Sequence, residues 1–192
     1  IEMDGKVIYE NNLSADMVQK VIRVLSECKM PVVLEGSTDY WIDDEGFEDD
    51  PYVDYLFESL GEHAHIIRGY NGEIRINKFS ADVIDGTDYE RVKTEFADDF
   101  LILEHVENVV EFVPKGTSKA TGIKWLCNHL DIPLDETYAI GDSVNDLEML
   151  ESVGHGIAMG NSMPPAKEIA EYVTSDISDD GVKNALKHYG LI

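Results

Sequence analysis

The sequence predicts an α/β chain in two parts: an α+β module on an antiparallel sheet over residues 1–112, and a parallel sheet flanked by helices over residues 113–192. Three observations carry this. The first part sets pairs of short strands between two or three helices, which suits antiparallel pairing. The second part alternates helix and strand, and such an order calls for parallel strands with crossover helices. Two of its apolar strands end in Gly141-Asp142 and Gly160-Asn161, and sheets of this kind bind ligands at the C-terminal strand ends.

The elements of the first part follow from local pattern. Lys6–Glu10 reads as a strand, and Asp4-Gly5 before it as a hairpin turn with glycine at positive φ. The same stretch spells acid-x-Asp-Gly, but only Ile1 precedes Glu2, and a strand follows rather than a helix. Ser14 can cap a helix over about 15–28, striped by Met17, Val18, Val21, Ile22, Val24 and Leu25. Pro31–Glu35 is a buried strand and Tyr40–Ile42 a second. Asp50-Pro51 opens a helix through Leu60, with proline in the first turn. Ile74–Phe79 reads as a strand, Asp88–Ala97 as a helix capped near Thr87, and Leu101–Glu104 with Asn108–Val113 as a closing hairpin.

In the second part, Thr117 or Ser118 caps a helix through Leu130. Thr137–Ile140 is an apolar strand, followed by a loop and a helix through Leu150. Gly156–Met159 is the next strand, Pro164-Pro165 open a helix to about Glu171, Tyr172–Thr174 is a third strand, and a last helix starts at Gly181.

Composition narrows the function. With 192 residues, 43% of them hydrophobic, the chain can bury a sizeable core. The net charge of −24 repels nucleic acid and anionic membranes. No apolar run is long enough to span a bilayer and no signal peptide is visible, so a cytoplasmic protein is expected. Cys28 and Cys127 fit no metal or redox spacing. His63 and His65 would share a strand face, and a surface pair is expected rather than a metal site. The acidic field also repels phosphorylated ligands unless lysine, a cation or a helix N-terminus reverses it locally.

Three stretches offer such a reversal. Tyr138–Leu150 delivers Asp142, Ser143, Asn145 and Asp146 to one strand-end loop. Carboxylates there suit a hard cation, and amides at a helix start suit phosphate oxygens; the same residues could equally be an N-cap and a first-turn acid. Lys119 sits in the first turn of its helix, where the dipole disfavours a cation, so it either has an anionic partner or extends to solvent. Gly160 permits a tight turn after the second strand, which can face Asn161 to the same crevice or be an ordinary turn.

Taken in order, these stretches resemble the haloacid dehalogenase (HAD) superfamily, and more closely its Cof-type phosphatases with an α/β (type IIB) cap. Ser118-Lys119 looks like the lysine motif, Gly141–Asp146 matches GDSxND, Ala158–Asn161 looks like the strand-turn that follows, and Asp180-Gly181-Val182 like the closing turn. The resemblance implies that 1–112 is a substrate-selecting cap and 113–192 the C-terminal part of a Rossmann-like core. It also implies roles. Asp142 ligates Mg²⁺ with Ser143 beside it. Lys119 neutralises the phosphoryl group and the nucleophile. Asn145 touches phosphate, Asp146 orients Lys119 or a metal-bound water, and Asn161 lies near the substrate phosphate.

Family chemistry also needs an Asp-x-Asp-Gly-Thr nucleophile loop. Ile84-Asp85-Gly86-Thr87 echoes it, but Val83 stands where an acid is required. The expectation is therefore that an N-terminal core segment carrying the nucleophile lies upstream of Ile1, and that the 192 residues alone are inactive. In complete form the resemblance implies a Mg²⁺-dependent phosphomonoesterase acting through an aspartyl-phosphate on a small phosphorylated metabolite, with sugar phosphates the usual class. Tyr40, Trp41, Tyr52 and Tyr70 are aromatic candidates for substrate selection. The alternatives are an inactive ligand- or partner-binding relative, and a phosphomutase or phosphotransferase of the same superfamily.

Overall fold

Lys78-Phe79-Ser80-Ala81-Asp82 alternates polar and apolar residues, and in the computed structural model it is the strand around which the larger sheet is assembled. The structure describes residues 1–43, 47, 51–105 and 108–192, the side chains of Pro51 and Tyr52 excepted; the aromatic candidate Tyr52 and the expected helix start at Asp50 thus lie outside the described residues. The chain folds as two units, Ile1–Lys115 and Gly116–Ile192.

The first unit opens with a hairpin, β1 (Glu2–Met3) and β2 (Lys6–Val7), whose turn residues Asp4 and Gly5 both take positive φ, 53° and 71°. The strand expected to reach Glu10 stops at Val7, because the amides of Ile8 and Tyr9 turn back to the Ile1 carbonyl. Helix α1 (Ala15–Glu27) starts at Ser14, whose hydroxyl accepts from the Met17 amide at 3.2 Å. The main sheet runs in the order β5-β4-β3-β6-β8-β7, with β3 Val32–Glu35, β4 Tyr40–Ile42, β5 Ala64–Ile66, β6 Lys78–Asp82, β7 Phe100–Glu104 and β8 Val109–Pro114. It is antiparallel apart from the β4–β5 pair.

Register sorts the two faces. Leu34 lies opposite Phe79, and Phe79 opposite Phe112. Onto this face α1 packs Val18, Val21, Val24 and Leu25, and α3 (Tyr89–Phe96) packs Val92 and Phe96. Phe79 and Phe112 stack with ring centroids 4.5 Å apart, and Phe96 and Phe100 close edge-on. On the other face, Val33 and Ile42 are covered by Val53 and Leu56 of α2 (Pro51–Leu60). Beside them Lys78 pairs with both Glu35 and Glu111.

Three further expectations shift. The strand expected over Ile74–Phe79 runs over Lys78–Asp82 instead, because the Asn77 side chain and the Ile76 carbonyl are tied to residues 11–13 rather than to a ladder. Asp88, not Thr87, caps α3 by accepting from the Arg91 amide, while the Thr87 hydroxyl donates to the Lys29 carbonyl and accepts from the Ile84 amide. The Asp-Gly-Thr echo is thus a turn fastened to the end of α1. His65 lies on β5 but His63 in the short turn before it, and both rings reach the Asp39 carboxylate, at 2.8 and 3.4 Å.

The second unit has the helix–strand alternation read from sequence. Strands β9 (Tyr138–Gly141), β10 (His155–Ala158) and β11 (Tyr172–Val173) form a parallel sheet in the order β11-β10-β9. Helices α4 (Lys119–Leu130), α5 (Leu147–Ser152), α6 (Pro164–Ile169) and α7 (Gly181–His188) connect and flank them. Ala139, Leu150 and Ala166 form its buried core cluster. No described helix is long and apolar enough to cross a membrane.

Candidate active site

The site is assembled where β9 ends. An apolar strand carries the chain to Gly141, and the residues after it must turn at once. Gly141 makes this possible: a Cβ there would stand 2.7 Å from the Cβ of Asp146. The turn is stapled to the segment after β10. The buried Ser162 hydroxyl donates to the Gly141 carbonyl at 3.1 Å, and the Met163 amide donates to the Asp142 carbonyl at 2.9 Å. A three-residue 3₁₀ turn over Val144–Asp146 then delays the helix expected after Asp142, so that α5 begins only at Leu147.

Asp146 is the anchor. It is 4% exposed. Its Oδ2 accepts from the amides of Asp142 and Ser143, at 3.0 and 3.2 Å, and its Oδ1 accepts from the Lys119 ammonium at 2.5 Å. Burial pushes its carboxyl up, but the Lys119 contact and the two amides outweigh burial and hold it below the usual carboxylate range. Lys119 is the first residue of α4, capped by Ser118 and Thr121 in a reciprocal pair. Of the two outcomes open to a lysine in a first turn, it takes the anionic partner, while half its side chain stays exposed.

Lys119, Asp142, Asp146 and Asn161 line one cleft of about 620 Å³, together with the apolar side chains of Ile177 and Val182, among others. Ser143 and Asn145 sit on the same turn but not among the lining side chains. Ser143 is half-buried at the start of the 3₁₀ turn, and Asn145 is exposed. Asn161 does face the cleft, yet its amide oxygen accepts from the Ile177 amide at 3.0 Å. The sequence reading passed over Gly141 as an obligatory close approach, Ser162 as a staple, and Ile177 as cleft wall. A small residue directly before the acidic loop, and a serine directly after Asn161, were the available signals.

The donor set suits a hard cation sparingly. Among the described residues no group of three or more His, Cys, Asp or Glu side chains is placed to hold a metal. Mg²⁺, however, commonly takes one or two carboxylates and fills its remaining positions with water and substrate phosphate. The exposed Asp142 carboxylate fits that demand; Asp146 is already committed to Lys119 and the two amides. Gly141→Ala is expected to displace the buried Asp146 side chain and destabilise the chain by about 2–3 kcal/mol, as overpacking does; urea unfolding checks it.

Comparison with known proteins gives the family. The family model described as haloacid dehalogenase-like hydrolase matches residues 1–186. YkrA of Bacillus subtilis is 30% identical over the whole chain, which spans 73% of its length. Phosphatase YwpJ of the same organism is 42% identical over 94 residues, 49% of this chain and 33% of its own. Among solved structures, a hypothetical protein of Geobacillus kaustophilus superposes with a TM-score of 0.81 at 26% identity, over 99% of this chain and 73% of that one. The HAD subclass IIB sugar phosphatase BT4131 shares the fold, with a TM-score of 0.70 at 22% identity over 97% of this chain and 71% of that one.

Proposed function

The chain belongs to the haloacid dehalogenase-like hydrolases, and from that premise we propose that the protein in complete form is a Mg²⁺-dependent phosphomonoesterase of a small phosphorylated metabolite, in the sugar phosphate class. The observation that carries the reading is the Lys119–Asp146 pair beside the exposed Asp142 carboxylate in one cleft. Lys119 keeps half its side chain exposed towards that cleft, so its ammonium remains accessible to an anion. The name of the sugar phosphatase BT4131 supports the substrate class by likeness of fold alone.

In this reading Asp142 holds the cation, which when bound supplies positive charge to the phosphoryl oxygens. Lys119 presents its ammonium to the same oxygens, and Asp146 fixes where that ammonium stands. Gly141 and Ser162 hold the loop in register. The nucleophilic carboxylate comes from a core segment outside residues 1–192. Its oxygen attacks phosphorus, the ester P–O bond breaks, and the leaving oxygen takes a proton from the second aspartate of the same outside loop. Water, giving a proton back to that carboxylate, then attacks the aspartyl-phosphate, releases phosphate and regenerates the nucleophile. The free edge of β9 supports this source. Among the described residues β9 pairs only with β10, and a further strand along its other edge would end beside Asp142. Residues 1–112 act as the substrate-selecting cap, and the expected setting is the cytoplasm.

The test is phosphate release from a panel of sugar phosphates and nucleotides by the full-length protein, with and without Mg²⁺. Mg²⁺-dependent turnover is expected, abolished by Asp142→Ala and absent from the 192-residue chain alone. Metal-dependent turnover by that chain alone, lost on Asp142→Ala, would overturn the outside source of the nucleophile. A full-length protein inert towards every phosphomonoester would sink the reading itself.

A further inference from the structure

We infer that Asn161 is a positioning residue working through its acceptor oxygen: it latches the 174–181 loop so that Ile177 stands in the wall of the cleft. The inference rests on the phosphatase reading for its kinetic arm only. A backbone amide can only donate, so the Asn161 atom 3.0 Å from the Ile177 nitrogen is the amide oxygen. A phosphate ligand would use the NH₂ group, which takes no part in this bond.

The neighbouring residue belongs to the same latch. The Gly160 amide donates to the Ser175 carbonyl at 3.0 Å, and a Cβ on Gly160 would stand 2.5 Å from the Asp176 nitrogen. Two backbones therefore touch at Gly160, and Asn161 carries the attachment two residues further along the loop. Ladder bonding ends at Val173, with the Thr174 amide still donating to the Ala158 carbonyl.

The loop is fastened within itself. Asp176 accepts from the amide and hydroxyl of Ser178, at 3.0 and 2.9 Å, and the Asn184 side chain donates to Ser175 and to the Asp179 carbonyl. A segment so cross-linked shifts as a unit. What it carries is Ile177, 64% exposed and yet lining the same cleft as Lys119 and Asp146. The place of the Ile177 side chain follows from its backbone, and the Asn161 oxygen accepts from that backbone's amide.

Two arms test this. In the 192-residue chain, hydrogen exchange at the Ile177 amide is expected to be unchanged in Asn161→Asp, which keeps an acceptor oxygen, and about fivefold faster in Asn161→Ala, the worth of one net hydrogen bond. In the full-length protein, Asn161→Ala is expected to lower kcat/KM for a sugar phosphate about fivefold. Gly160→Ala, which alters no functional side chain, should reproduce that loss, and the double variant should be no worse than either single one. Equal exchange rates in all three chains would overturn the latch. So would a loss in Asn161→Ala that Gly160→Ala does not share, because Asn161 would then be acting on the substrate directly. If the wild-type full-length protein hydrolyses no phosphomonoester, the functional reading falls and the exchange arm still decides the latch.

Discussion

Lys119→Met in the full-length protein is expected to lower kcat for phosphomonoester hydrolysis by about 10²–10³-fold, the usual cost of removing one group that meets developing charge in a transition state. The reason is local. The chain carries a net charge of −24, and Lys119 brings the positive side chain to a cleft that Asp142 and Asp146 also line. Without it a phosphate dianion meets two carboxylates. Methionine keeps the length and apolar stem of the side chain, so packing is preserved while charge is lost. The fold should survive, because α4 is capped by Ser118 and Thr121 independently of the ammonium. Lys119→Arg is expected to restore only part of the rate, since a planar fork cannot occupy the position of a compact ammonium against Asp146. Steady-state kinetics with and without Mg²⁺ are the check, with urea unfolding as the control for folding. A Lys119→Met protein within tenfold of wild type would remove lysine from the chemistry.

The second unit's order and the placing of Asp142 and Asp146 on one loop were legible because those signals are local, whereas Lys119 joined them only through the family resemblance, its contact with Asp146 spanning 27 residues. An apolar strand ending in Gly-Asp, a capped helix start and a proline pair each state their conformation within a few residues. What the sequence did not carry was long-range. Asn77 ties its segment to Asn11 and Asn12, some 65 residues away, and so moves the start of β6 past the expected place. Strand β5 is three residues long and pairs in parallel with β4, too short for its alternation to be read. Ser162 braces the turn at Gly141, and Asn161 holds the Ile177 amide, through contacts spanning 21 and 16 residues, which no periodicity announces. For the same reason Asn161 reads from sequence as a group near phosphate, while its oxygen is engaged with the Ile177 amide. Fold class is legible because hydrophobic period is a one-dimensional property; which polar atom faces which is a property of the packed chain.

Asp146→Ala is expected to lower the second unit's stability substantially. Asp146 is buried, and its carboxylate accepts from two backbone amides as well as from Lys119. Alanine strands the amides of Asp142 and Ser143 without their acceptor at the strand end. Hydrogen bonds to a charged group contribute about 1.5–3 kcal/mol each, and exposure of the Lys119 side chain discounts the ionic share, so a total loss of about 3 kcal/mol is expected. Asp146→Asn separates the contributions: its carbonyl oxygen can still serve the two amides, but the ion pair is gone, and about half the loss should return. The pH dependence carries a sign. The folded Asp146 carboxyl lies below its ordinary value of 3.8, so its stabilisation is fully present above that value and fades as the pH falls through the lower folded value. The deficit of Asp146→Ala relative to wild type should therefore be constant from neutral pH down to about 4 and shrink below it. Urea unfolding of the 192-residue chain at pH 7, 5 and 3 measures this. A deficit that grew on acidification would mean that Asp146 is held protonated in the fold, and the Lys119–Asp146 pair could not then be the fixed charge on which the site is built.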